Sequence, residues 1–99
     1  MLICIPRVSC CIKKRDVYTV FEKLNLGSIR NVELRYNHHN DSYLCIIHVE
    51  HFHKKGKAPH LKKELEEGRH FTIVHTKEHQ IPTLWKCYPY TEDYIKPNM

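Results

Sequence analysis

The sequence has little glycine and no long hydrophobic run, and both shortages limit what the chain can be. Only three of its 99 residues are Gly and 27% are charged, a composition that excludes collagen-like and low-complexity chains. The apolar run at residues 2–5 is broken by Pro6 and Arg7, so it is too short for the core of a signal peptide or for a membrane span. We therefore expect one folded domain with no export signal and no membrane partner.

The sequence also lacks the motifs that carry most enzymatic and metal chemistry. Its five cysteines form no CxxC pair, which favours reduced thiols in an intracellular compartment over a disulfide scaffold. The histidines show no spacing typical of zinc ligands, and neither a carboxylate pair nor a Ser-His-Asp order stands out. A phosphatase loop requires an Arg six residues after its cysteine, and six residues after Cys10 the sequence has Asp16. We expect no cofactor, no metal and no enzymatic activity.

A modest excess of positive charge is present. Sixteen Lys and Arg oppose eleven Asp and Glu, which gives a formal net charge of +5. Clustered cations can bind the phosphates of a nucleic acid. The candidates for this role are Lys13, Lys14 and Arg15, and, further along the chain, Lys54 and Lys55. The alternative is that these are solvated surface residues that confer solubility, and the sequence leaves both readings open.

The hydrophobic pattern predicts alternating strands and helices. Residues 2–6, 28–36 and 43–49 alternate or carry the β-branched runs typical of strands. Between the first two, four apolar residues recur at i, i+3, i+4 and i+7 and predict a helix that ends near Gly27: Val17, Val20, Phe21 and Leu24. A second, shorter helical stripe runs from Ala58 to Leu65 and ends at Gly68.

Two more strand-like segments, residues 70–76 and 84–88, follow the second helix. The order predicts an α+β fold, a ferredoxin-like βαββαβ sandwich. Its antiparallel sheet would carry two helices on one face and an extra C-terminal strand or arm. Which of the two C-terminal segments is the true fourth strand stays open.

The segment DVYTVFEKLNLGSIRNVEL resembles the helix, glycine and second strand of the RNA-recognition motif (RRM) family. The resemblance covers about residues 2–75 of an RRM-like domain over 1–88, followed by a tail over 89–99. More narrowly, LWKCY is similar to the aromatic Trp-Lys strand that ends several small RRM-like proteins of large DNA viruses. This narrower resemblance would make the chain a viral protein of the infected host cell.

The two signature strands of the family fall on ICIPRV at 3–8 and LCIIHV at 44–49. In this register the positions of the family's three base-stacking rings are held by Cys4, Leu44 and Ile46. A register shifted by one would turn Tyr43 outward but would also expose residues 47 and 49, so we disfavour it. Stacking one base on an aromatic ring contributes about 1–3 kcal/mol. The missing rings therefore put ordinary base binding by the sheet face in doubt.

Apolar side chains at positions 44 and 46 require a cover. It could come from the C-terminal residues of the chain itself, from a second copy in a homodimer, or from another protein. We expect Trp85 to pack over Leu44 and Ile46, and Tyr88, Tyr90 and Tyr94 are further candidates. The predicted interface residues are thus Cys4, Leu44, Ile46, Trp85 and Tyr88.

Polar residues are predicted on the same open face of the sheet. Arg35 and His48, together with His70 and Thr72, should lie beside the apolar row, where they can bind phosphates or stack on bases. The first functional hypothesis is a non-enzymatic module that binds nucleic acid, single-stranded RNA (or DNA). The alternative is a protein-interaction or self-association module that uses the apolar sheet face.

Overall fold

The computed structural model describes residues 1–9, 11–75 and 83–90. Within these ranges the chain forms an antiparallel sheet and two helices, which confirms the predicted α+β class. The elements are β1 (Leu2–Ser9), α1 (Lys14–Leu24), β2 (Gly27–Asn37), β3 (Ser42–Phe52), α2 (Ala58–Glu66), β4 (Phe71–His75) and β5 (Thr83–Pro89). Neither helix is long and apolar enough to cross a membrane. The described ranges leave out residue 10 and residues 76–82 and 91–99. Two residues named in the sequence analysis, Cys10 and Tyr94, therefore lie outside the described residues.

The strands follow the order β2-β3-β1-β5-β4. The segment beside β1 is therefore β5, in which Pro89 lies opposite Ile3 and Tyr88 lies opposite Cys4. Strand β4 forms an edge, paired with β5 along its whole length. Because β5 runs through Pro89 and the following Tyr90 is buried, the predicted boundary between domain and tail falls inside the last strand.

Strand β1 is interrupted in its second half. Its register against β3 shifts between Ile5 and Val8, and the intervening Pro6 has no amide hydrogen to donate to a neighbouring strand. Pro6 and Arg7 are both exposed. The pairing of β1 with β5 stops at Cys4. Beyond this point β1 and β5 are no longer hydrogen-bonded to each other, and a groove opens between them.

The two ends of α1 are capped in different ways. Its N-terminus has no Ser, Thr or Asp cap, but the Lys13 amide donates to the Asp16 carboxylate over 2.9 Å, which satisfies a free backbone group beside the helix. Its C-terminus uses Asn25, at φ 56°, so the helix ends close to Gly27, as predicted, but Gly27 is not its left-handed cap. Gly27 instead begins β2, where an added Cβ would collide with the His51 carbonyl oxygen.

The sheet separates two apolar clusters, as period-2 alternation requires. Both helices pack on one side, where Cys45, Ile47 and Val49 are buried together with strand residues of β1 and β2. Tyr43 packs on this helix side as well, which confirms the register chosen for β3. The opposite side of the sheet carries a smaller cluster formed by Cys4, Ile46 and Tyr90, with Leu2, Leu44 and Tyr88 at its margin.

The predicted position of Trp85 was wrong. Trp85 is buried in the helix-side cluster and lies opposite Ile73 of β4, so it does not pack over Leu44 and Ile46. The reason is strand parity: Tyr88 lies opposite Cys4 on the open face, and a residue three positions earlier must point the other way. Trp85 is a core residue that ties the β4–β5 hairpin to the helices.

Candidate nucleic-acid interface

The two predicted basic groups lie at opposite ends of the sheet. Lys13, Lys14 and Arg15 are exposed at the start of α1, which follows the end of β1, whereas Lys54 and Lys55 are exposed after the end of β3. Since β1 and β3 are antiparallel, these ends are separated by the length of β3. That strand has 11 residues, so its length is about 33 Å. The two groups cannot form one continuous surface.

The basic group after β3 surrounds a shallow pocket. The pocket has a volume of about 410 Å³ and is lined by Asn25, His53, Lys54, Lys55 and Gly56. His53 Nδ1 donates to the Asn25 carbonyl over 3.1 Å and so holds the loop against the end of α1. No aromatic ring other than His53 is among the described lining residues. This end of the sheet offers charge without a stacking surface.

The predicted phosphate-binding residues of the open face, Arg35 and His48, share an acidic neighbour. Glu33 lies between them: its Oε1 is 2.9 Å from His48 Nε2, and its Oε2 accepts from Arg35 Nη2 over 3.1 Å. The hydrogen bond with His48, reinforced by the pair with Arg35, holds the pKa of Glu33 below its usual range. The carboxylate therefore competes with any phosphate for both side chains.

Tyr90, the last described residue, also interacts with Arg35. The pKa of Arg35 is raised, mainly by its hydrogen bond to Glu33 and to a smaller extent by the Tyr90 side chain beside it. Because Tyr90 is only 7% exposed and its amide donates to the Leu2 carbonyl over 2.9 Å, it is fixed over the middle of the sheet. The structure thus brings Arg35 and His48 onto one face, as predicted, with both side chains in contact with Glu33.

Tyr90 also covers the predicted interface. It packs on Cys4 and Ile46, which are 2% and 1% exposed, while Leu44 and Tyr88 lie half-buried at the margin of this cluster. The apolar row thus obtains its cover from within the chain. Of the predicted interface residues, only Leu44 and Tyr88 keep accessible surface on the open face.

A further candidate site is the groove between β1 and β5, which we call the β1–β5 groove. It has a volume of about 230 Å³ and is lined by Ile5, Pro6, Arg7, Leu84, Lys86 and Tyr88. Small-molecule sites typically measure about 300–1,000 Å³. A groove below that range suits one flat group, such as a single base, better than a whole metabolite.

Aromatic and aliphatic side chains form one wall of the groove. The Tyr88 ring packs against the His70 ring, with centroids 5.0 Å apart and an angle of 31° between the planes. Next to them Leu84 is 62% exposed, and its cross-strand neighbour Val74 is 64% exposed. Apolar surface that stays in water on a small domain often marks a binding site. Here the exposed surface lies directly beside Lys86.

The charge of the groove has one sign. Arg7 and Lys86 line it and both are exposed, and no carboxylate is among its described lining residues. The cations of residues 13–15 lie at the same end of the sheet, because α1 begins soon after the end of β1. The groove therefore combines fixed positive charge with a stacking surface, the two elements of single-strand binding.

Sequence reasoning missed Arg7 and Lys86 as site residues. A partial signal was present, since Lys86 and Tyr88 are two apart in a predicted strand and must share a face. Arg7 follows the one proline that interrupts β1. What the pattern could not supply was the pairing of β5 with β1, which brings these side chains to opposite walls of one groove.

Burial disfavours the thiolate form of the three buried cysteines, Cys4, Cys45 and Cys87. Burial raises the pKa of Cys4, and burial together with the nearby Cys4 raises the pKa of Cys45 to about 12. Burial likewise raises the pKa of Cys87. A thiol that stays protonated at neutral pH does not react as a thiolate. Among the described residues, no three His, Cys, Asp or Glu side chains come together as a metal site.

Comparison of this chain with protein-family models, with curated proteins and with solved structures finds no match.

Proposed function

We propose that this chain is a non-enzymatic module that binds single-stranded RNA, with one base held in the β1–β5 groove. The observation that carries the proposal is the composition of that groove: two exposed cations, Arg7 and Lys86, flank the Tyr88 ring and the exposed Leu84 side chain. The cations attract the backbone phosphates, and the ring and the aliphatic side chain receive the flat face of a base.

A single strand fits this surface better than a duplex does. In a duplex the bases are stacked inside and only their edges are accessible, whereas an unpaired base can leave the stack and insert between two walls. One stacked base contributes about 1–3 kcal/mol, and each neutralised phosphate adds a salt-dependent increment. With few such contacts the expected affinity is on the order of micromolar. The expected sequence preference is weak.

The interleaving of strands and helices supports an RRM-like, ferredoxin-like architecture for the module. The two strands joined by α1 flank β3, as in a split βαβ unit. The strands β3 and β5 likewise flank β1, although both α2 and β4 lie between them in the chain. Strand β4 is then an addition at the sheet edge. We further propose a reducing, intracellular setting, in an infected cell if the chain is viral, because such a compartment keeps cysteines in the reduced form that the sequence favours.

Fluorescence anisotropy with a labelled single-stranded RNA of about ten nucleotides tests the proposal. Lys86→Glu is expected to weaken binding about tenfold, because it removes one phosphate contact and places a negative charge in the groove. Arg30→Glu is the matched control, since Arg30 is exposed on β2 at the far edge of the sheet. It makes a reversal of the same size and should leave the affinity nearly unchanged.

Three further titrations vary the salt concentration and the type of nucleic acid. Raising the salt concentration should weaken the wild-type complex steeply. A DNA strand of the same sequence separates recognition of RNA from binding of any single strand, and a duplex should bind more weakly than either. Equal losses of affinity in Lys86→Glu and Arg30→Glu would show that net charge, not the groove, determines binding, and would refute the proposal.

A further inference from the structure

Strand β2 has a long, regular outer edge. It is the first strand in the sheet order, and among the described residues no strand lies on its outer side. After irregular pairing near Ser28 and Ile29, its residues 31–37 pair in unbroken register with β3. The unpaired backbone groups along such an edge can form a ladder with another strand. Edges of this kind are normally covered or blunted.

The side chains along this edge are complementary to themselves. If two copies of β2 pair antiparallel about a twofold axis at Leu34, Glu33 of each copy lies opposite Arg35 of the other. Both side chains are accessible, at 34% and 52% exposure. Directly opposed residues of opposite charge stabilise a strand pair. In the same register the exposed Tyr36 of one copy lies opposite Val32 of the other, on the helix side.

Other symmetric registers oppose like charges or leave both charges without a partner. A twofold axis between antiparallel strands is perpendicular to the sheet, so it passes beside one residue and keeps each side chain on its face. Centring the pair on Glu33 or on Arg35 places that residue against its own copy, and centring it on Val32 leaves both charges unopposed. Among these four centres, Leu34 alone matches both charges.

We infer that two copies of this chain associate along β2, in the register centred on Leu34, so that both sheets form one continuous sheet. The two Glu33–Arg35 pairs within the copies are then supplemented by two pairs between them. The β1–β5 groove is three strands away from this edge. Dimerisation therefore leaves it open, and this inference does not depend on RNA binding.

Sedimentation equilibrium of the purified chain tests the inference. Because the interface is a single strand pair, the expected dimer is weak, with a Kd on the order of 10–100 μM. In the Arg35→Glu variant two glutamates lie opposite each other at each pair between the copies, and in the Glu33→Arg variant two arginines do. Each substitution is therefore expected to raise the Kd at least tenfold. Combining the two substitutions restores the opposed charges and should return the Kd to within about threefold of wild type.

Arg30→Glu again serves as the control, because Arg30 lies outside the seven regularly paired residues and its reversal should leave the Kd unchanged. Circular dichroism checks that every variant is folded. A wild-type chain that stays monomeric up to about 1 mM would overturn the inference. So would a dimer that survives Arg35→Glu, or a double variant that is folded and monomeric.

Discussion

Trp85→Ala is expected to lower the free energy of unfolding by about 3–5 kcal/mol, the usual cost of deleting a large aromatic from a core. Trp85 is 2% exposed and packs in the helix-side cluster. It also lies opposite Ile73 in the β4–β5 pair. Its loss would therefore leave a cavity and loosen the hairpin that supplies Lys86 to the groove. The total free energy of unfolding of a domain of this size is about 5–15 kcal/mol.

Urea denaturation followed by circular dichroism measures this effect. Trp85→Phe is the matched control, because it keeps an aromatic ring in the cavity and should cost clearly less than the alanine substitution. Trp85 is the only tryptophan, so the wild-type fluorescence should shift to longer wavelength on unfolding. A loss below about 1 kcal/mol for Trp85→Ala would mean that the side chain is an exposed arm and that the parity argument fails.

Tyr90→Ala is expected to remove the cover from the open face. Tyr90 is 7% exposed and packs on Cys4 and Ile46, so its truncation should lower the free energy of unfolding by about 2–4 kcal/mol. It should also expose the thiol of Cys4. Burial raises the pKa of this thiol in the wild-type chain. Exposure would bring the pKa down towards its ordinary value and increase the reactive thiolate fraction.

Urea denaturation and the rate of reaction with a thiol reagent give two readouts. Tyr36→Ala makes the same change at a tyrosine that is 46% exposed, so it should cost less than about 1 kcal/mol and leave Cys4 protected. Cys11 is exposed, so it is expected to react equally in every variant and to provide a constant background. If Tyr90→Ala gains no additional fast-reacting thiol, the open-face cluster does not depend on Tyr90.

The two faces of the central strands could be predicted from the sequence. The register that the RRM resemblance implies for β3 places residues 47 and 49 on the helix side and Leu44 and Ile46 on the other side, and both assignments are confirmed. A side-chain period of two fixes these positions once one face must be buried. The same pattern correctly required a cover for Ile46. It could not show that Tyr90, two residues after Tyr88, provides it.

The candidate site was less predictable because it depends on contacts between distant segments. The groove exists because Pro6 ends the pairing of β1 with β5, and its charge comes from two side chains 79 positions apart in the sequence. The acidic partner of Arg35 and His48 was also missed. Glu33 lies two residues before Arg35 and opposite Ile46, and this cross-strand register brings its carboxylate within reach of His48. No local pattern encodes that register.

The most direct test of the account is to map the RNA contact on the folded protein. Amide chemical shifts of isotope-labelled protein, followed during titration with the single-stranded RNA, should change most at Arg7, Lys86 and Tyr88, with the β2 edge nearly unaffected. Saturating shifts that centre instead on Arg35 and His48, or on the loop at residues 53–57, would contradict the assignment of the β1–β5 groove as the binding site.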